Sequence, residues 1–140
     1  PSSRPLEGSG GGEAAAEGEF SYSWRALHHN HEVRAVALTP DDKTLASGSV
    51  DKQIRIWDLP ERALRMTLQG HEDAVTSLCC SHQWKWLLST SKDRTVRVWD
   101  LKSGSLEKVL PYSNQINCVD ISIDDRYVVA GTESTFRASI

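Results

Sequence analysis

Three histidines crowd one short stretch, His28-His29-Asn30-His31, and three cysteines stand further along at Cys79, Cys80 and Cys118. Imidazole and thiolate are the usual ligands of structural zinc, which needs three or four of them converging at ligand spacing. No C-x-x-C pair occurs, so the residues predict no metal site. Covalent and phosphate chemistry lack a frame as well. G-x-S-x-G, P-loop and G-x-G-x-x-G patterns are absent, and Gly10-Gly11-Gly12 lies in a run without apolar periodicity. The acidic pairs Asp41-Asp42 and Asp124-Asp125 sit before Lys43 and Arg126 in turn-forming sequence rather than in an acid–base constellation. No active site and no cofactor are expected. Arg55, Arg94 and Arg97 recur along the chain, but acids flank them, which predicts solvated strand residues rather than a nucleic-acid surface.

The rest of the composition bounds what must position these side chains. Of 140 residues, 39% are hydrophobic and 25% charged, with 16 basic against 19 acidic. That excludes wholesale disorder and a polycation, and no apolar run is long enough for a membrane helix. Arg4 against Glu7, Glu13, Glu17 and Glu19 already gives the chain's formal charge of -3, so the remainder is neutral and recognition must be local. Residues 1–19 are mostly Gly, Ser, Ala and Glu, with a single leucine as their one large apolar side chain, and the composition predicts a disordered tail. The adjacent Cys79 and Cys80 point to opposite faces of a strand and make a poor disulfide pair. Reduced thiols suit the cytoplasm or nucleus. A start at Pro1 without methionine suggests a piece of something longer.

From Phe20 onward the chain repeats itself. Leu45–Leu59 (LASGSVDKQIRIWDL) overlays Leu87–Leu101 (LLSTSKDRTVRVWDL) at an offset of 42 residues, which also superposes His29 on His71 and Val33 on Val75. A third unit follows at an offset of 41, with Ile116–Ser122 matching Val75–Ser81. Self-similarity at this period marks a repeat architecture. Within a unit the period is two, as in Ile54-Arg55-Ile56-Trp57 and Val96-Arg97-Val98-Trp99, and turn residues break the runs. The expected fold class is therefore all-β, with four short antiparallel strands per unit and units at about 29–59, 71–101 and 112–140.

With Gly70-His71, the Ser-x-Ser-x-Asp turns (Ser47 to Asp51, Ser89 to Asp93) and the closing Trp57-Asp58 and Trp99-Asp100, residues 22–132 resemble WD40 repeats. The resemblance implies blades of a β-propeller, one repeat to a blade. It also implies a hydrogen-bonded string in each blade, which here would be His29, Ser47, Asp51 and Trp57, and again His71, Ser89, Asp93 and Trp99. The third unit has Tyr112, Ala130, Ser134 and Ile140 at those stations, and its alternation is expected to stop near Thr132.

The family resemblance implies a non-enzymatic scaffold binding other proteins or peptides; the thiols, the charge balance and the lack of a long apolar run add the expectations of cytoplasm or nucleus, no nucleic acid and no membrane. Partner contacts are expected at His31, Val50, Asp73 and Lys92, beside the turns and before the first strands; Trp84, in a turn, is either an interaction anchor or packs over the next blade, and Trp86 is expected in the core. Two further readings stay open: a regulatory region of a larger enzyme, and a substrate receptor of a cullin-RING ubiquitin ligase. The receptors' Trp-Asp-x-Arg box ends here in Lys102, and the first unit has Pro60; Lys lacks the planar fork of Arg. Propellers close with about 4–8 blades, more than this chain holds. Each blade face covers about 300 Å², so an open arc is expected to belong to a longer propeller or to self-associate.

Overall fold

The computed structural model describes residues 12–15, 21–24, 28–133 and 136–139, with side chains for 28–133. Among these there is no helix, and none long and apolar enough to cross a membrane. Strands β1 (Gly12–Ala15) and β2 (Ser21–Trp24) pair antiparallel. A first four-stranded sheet follows in sequential order: β3 (Val33–Leu38), β4 (Thr44–Ser49), β5 (Ile54–Asp58) and β6 (Ala63–Leu68). A second sheet repeats it with β7 (Val75–Cys80), β8 (Trp86–Ser91), β9 (Thr95–Asp100) and β10 (Leu106–Pro111). The third holds β11 (Ile116–Ile121), β12 (Val128–Thr132) and β13 (Phe136–Ser139).

Each sheet forms for the same local reasons. The first hairpin bulges at one station in all three, between Val33/Ala35, Val75/Ser77 and Ile116/Cys118, which twists the leading strand. The turn that follows is built on a hydroxyl. Thr39, Ser81 and Ser122 Oγ atoms accept from the amides of Thr44, Trp86 and Tyr127 at 3.1, 2.9 and 2.9 Å. Asp42, Trp84 and Asp125 then turn the chain through the left-handed region, with φ of 58°, 62° and 58°.

The sheets pack face to face through their leading strands, β7 against β3 and β4, and β11 against β7 and β8. Between the first two lies the main core: Ala46, Ile54 and Ile56 of one face meet Val75, Leu78 and Leu87 of the other. Val96, Ile116 and Ala130 form the smaller core between the second and third, and Thr76 Oγ1 donates across it to the Ile116 carbonyl at 2.6 Å. Gly48 is required by this approach, since a Cβ there would lie 2.5 Å from Val75 Cγ1. Valine is stiff at χ1 and Val75 is fully buried. Gly48→Ala is therefore expected to cost about 1–3 kcal/mol in urea unfolding, and pairing it with Val75→Ala should restore part of the loss.

The two ends of the arc differ from its middle. Val33 and Val36 are 45% and 65% exposed, whereas their counterparts one repeat on, Val75 and Leu78, are 0% and 7% exposed. The side chains are alike; of the two, the second sheet alone has a packed sheet on that face among the described residues. At the far end Val129 is exposed where its counterpart Leu88 is buried.

Within the stretch 1–19, residues 12–15 form β1 and pair with β2 through the backbone; the rest of it lies outside the described residues. Two expectations need correction. The unit taken to end its alternation near Thr132 resumes it in β13, where Phe136-Arg137-Ala138-Ser139 pairs with β12. There Ser139 opposes Val128, as Trp99 opposes Leu87. The tryptophan station is thus Ser139 rather than Ile140, because the preceding turn is one residue shorter. Trp86, expected in the core, is half-buried, with Lys85 Nζ 4.5 Å from its ring centroid.

Candidate functional site

In the second sheet four side chains meet end to end. Trp99, on β9, is placed opposite Leu87 by the ladder, which brings its indole beside Ser89 on β8. Its Nε1–H donates to Ser89 Oγ at 2.8 Å. His71, from the loop before β7, lies with Nε2 at 2.7 Å from the same oxygen and Nδ1 at 2.8 Å from Asp93 Oδ2. Donor identities fix the direction. Indole gives only a proton and carboxylate takes only one, so Ser89 donates to Nε2 and a neutral, Nδ1-protonated His71 donates to Asp93. Asp93 further accepts from the amides of Glu72 and Thr95, at 3.0 and 2.9 Å. The string thus ties the entry loop, β8, the β8–β9 turn and β9 into one unit.

Electrostatics follow the geometry. Burial disfavours imidazolium and holds the His71 pKa below the ordinary 6.5, against the opposing pull of Asp93. Burial also pushes the Asp93 carboxyl up, but hydrogen bonds from Thr95, His71 and the Glu72 amide outweigh it and leave it below the usual 3.8. Ser89, His71 and Asp93 have the connectivity of a nucleophilic triad. Ser89 is fully buried and its oxygen already holds the indole proton, so no substrate carbonyl can reach it.

The first sheet repeats the arrangement. Trp57 Nε1–H donates to Ser47 Oγ at 2.8 Å, and His29 lies 2.7 Å from Ser47 and 3.1 Å from Asp51. One detail departs. Gly70 precedes His71 at φ 153°, where a Cβ would meet the Arg97 guanidinium; the first sheet has His28 there, and its carbonyl accepts from Arg55 Nη1. In the third sheet Ala130 and Ser139 hold the serine and tryptophan stations, so no such string can form.

The profile described as WD domain, G-beta repeat, matches residues 21–58 and 62–100, more than half of the chain. The chain belongs to the WD40 family. The matched segments do not coincide with blades. The second match begins at β6, the outer strand of the first blade, and ends with β9, the third strand of the next. One repeat therefore straddles two blades, a correction to the one-to-one expectation, and the ladder between β5 and β6 joins successive repeats. Among curated relatives, the general transcriptional corepressor TUP1 of Saccharomyces cerevisiae is 50% identical over 46 residues, 33% of this chain and 6% of that protein. The pre-mRNA-splicing factor PRP46 of Eremothecium gossypii is 44% identical over 54 residues, 38% of this chain and 13% of that protein. THO complex subunit 3 of Arabidopsis thaliana is 35% identical over 71 residues, 44% of this chain and 22% of that protein. The WD40 segment thus spans less than a quarter of each of these three relatives.

The remaining candidate residues fall on two opposite rims of the WD40 arc, because antiparallel strands return every second connection to the same end. His31, Val50, Asp73 and Lys92 share the rim where chains enter β3 and β7. There the Val50 amide donates to the Glu32 carbonyl and the Lys92 amide to the Ala74 carbonyl, both at 3.0 Å. Trp84 lies on the other rim, half-exposed, in the β7–β8 turn. The structure does not bring it together with the other four.

No group of three metal-binding side chains occurs among the described residues, and both ring nitrogens of His29 are engaged. Burial pushes the Cys79 thiol up to about 11, with Asp120 adding to the effect, and the Cys80 thiol up to about 12; neither is poised as a nucleophile. Sequence reasoning missed Pro40, Asp41 and Asp125 on the rim with Trp84. Their signal was the pairing of turns in neighbouring blades, which no single repeat displays.

Proposed function

We propose that this chain is a non-enzymatic protein-interaction module, an arc of WD40 blades that works within a longer propeller or is completed by another chain. Its partners are proteins or peptides, met in nucleus or cytoplasm. One observation carries the reading: the same backbone bonds hold the rim in both blades, while the side chains they present differ. His31 stands where the next blade has Asp73, and Val50 where it has Lys92. A fixed frame with unlike surface chemistry is how a binding face specialises. The buried string supports it from below, since it rigidifies the entry loop on which His31 and Asp73 sit. The relatives' names speak of a corepressor, a splicing factor and a complex subunit, which favours partnership over chemistry.

The test is quantitative affinity capture with wild type and an Asp73→Lys, Lys92→Glu double variant of equal urea midpoint. Partners bound through this rim should fall at least about tenfold in the variant, the scale of 1.4 kcal/mol. Identical capture by both proteins would contradict the assignment of the rim.

A further inference from the structure

The rim carrying Trp84 is built differently at its two blade junctions. Between the second and third blades, Asp125 reaches back across the gap. Its carboxylate accepts from the amides of His82 and Gln83, at 2.8 and 2.9 Å, and lies 3.1 Å from His82 Nδ1. Those bonds hold the Asp125 carboxyl below its usual range despite the opposing effect of burial.

One junction earlier this bridge cannot form. The station of Asp125 is Trp84, and the station of His82 is Pro40, which has no N–H to give. The station of Gln83 is Asp41, whose amide faces its own carboxylate rather than one from across the junction. What remains is an open groove of about 180 Å³ lined by Thr39, Asp41, Arg65, Trp84, Leu101 and Lys102. Trp84 holds the left-handed backbone, φ 62°, that its counterparts fill with aspartate; a bulky residue there costs about 1–2 kcal/mol. Its side chain is 50% exposed, so burial does not offset that cost. Asp41, the one acid in the lining, already accepts from Thr39 Oγ1 and the Lys43 amide. Arg65 is anchored beside the groove by donating to the Lys102 carbonyl at 3.5 Å.

We propose that this groove docks an acidic peptide segment of a partner protein. A Glu or Asp side chain of the partner takes the place that Asp125 fills at the next junction, pairing with Arg65 and Lys102. An apolar neighbour in the peptide lies against Trp84 and Leu101. The groove is smaller than the roughly 300–1,000 Å³ of a small-molecule pocket, and its size suits one or two side chains. Tryptophan and arginine are the residue types that carry interface energy, and two cations face one acid, so the charge balance selects a carboxylate. This site lies on the rim opposite His31, Asp73 and Lys92 and stands apart from the function proposed for them.

The experiment is fluorescence anisotropy of the full chain with a dye-labelled peptide of Leu-Glu-Glu-Leu core and its Leu-Gln-Gln-Leu twin. Circular dichroism on the same samples reports the fold. The acidic peptide should bind, the neutral twin at least about tenfold more weakly, and Arg65→Glu or Lys102→Glu should each weaken binding to a similar degree. Trp84→Asp, which places a residue tolerant of the left-handed backbone at that station, should abolish binding with an unchanged or higher urea midpoint. Lys92→Glu on the other rim should leave it as in wild type. Equal binding of the two peptides, full binding by Trp84→Asp, loss on Lys92→Glu, or no binding by a folded chain would each overturn the proposal.

Discussion

Replacing Trp99 with alanine should lower the unfolding free energy by about 3–5 kcal/mol, and the same change at Trp57 should cost clearly less. Both indoles hydrogen-bond a buried serine at 2.8 Å, so loss of that bond does not separate them. Their surroundings do. Trp99 belongs to the core shared by the first and second blades, and its removal opens a cavity that neither sheet can close. Trp57 lies on the first blade's outer face, in the ladder row of Leu45 and the exposed Leu38, where side chains and solvent can collapse into the space. Urea unfolding followed by circular dichroism measures both losses. Equal losses would mean that Trp99 does not couple two blades. Trp99→Phe keeps most of the bulk and should cost nearer 1 kcal/mol, the net worth of the indole hydrogen bond.

His71→Ala should cost about 2–4 kcal/mol, because it leaves Ser89 and Asp93 buried without the group that joined them. His28→Ala, one residue before the equivalent histidine and exposed, should cost almost nothing. The string also sets a pH dependence. The His71 pKa is depressed in the fold by burial, so the unfolded chain takes up a proton that the native one resists. Its contribution is complete above the unfolded value of 6.5 and is lost as pH falls below it, at up to about 1.4 kcal/mol per pH unit. Geometry gives the same sign. A proton on Nε2 would take from the buried Ser89 hydroxyl the acceptor it has in neutral His71. Asp93 is also depressed, so its stabilisation is full above 3.8 and is lost as pH falls through its lower folded value. Stability should therefore decline in two stages on acidification, and His71→Gln should flatten the first. A first stage unchanged in that variant would assign it to another group.

The strands and the repeat were legible in the sequence because both depend on local pattern: alternation within Ile54–Trp57, the turn-forming pairs Asp41-Asp42 and Asp124-Asp125, and a fixed offset between matched residues. Burial was not legible in the same way. Val33 and Val75 occupy the same station, yet one is 45% exposed and the other fully buried. The difference lies in what stands next to each blade, which periodicity does not encode. The staggering of repeat against blade escaped for a related reason, since β6 alternates like any strand and only its ladder to β5 assigns it to the earlier sheet. Ser139 was missed because an ungapped offset cannot see a turn shortened by one residue. The rim with Trp84 was read residue by residue, whereas its meaning lies in the contrast between Pro40 with Trp84 and His82 with Asp125.

The exposed face carrying Val33, Val36 and Leu38 is expected to pair with another blade. Light scattering after size exclusion on the full chain, with circular dichroism of the same peak, tests it most directly. Wild type should elute as an associated, β-rich species, and Val36→Glu should shift it toward monomer while retaining the β signal. A folded, stable monomer at high concentration, indifferent to Val36→Glu, would show that this face pairs with no blade.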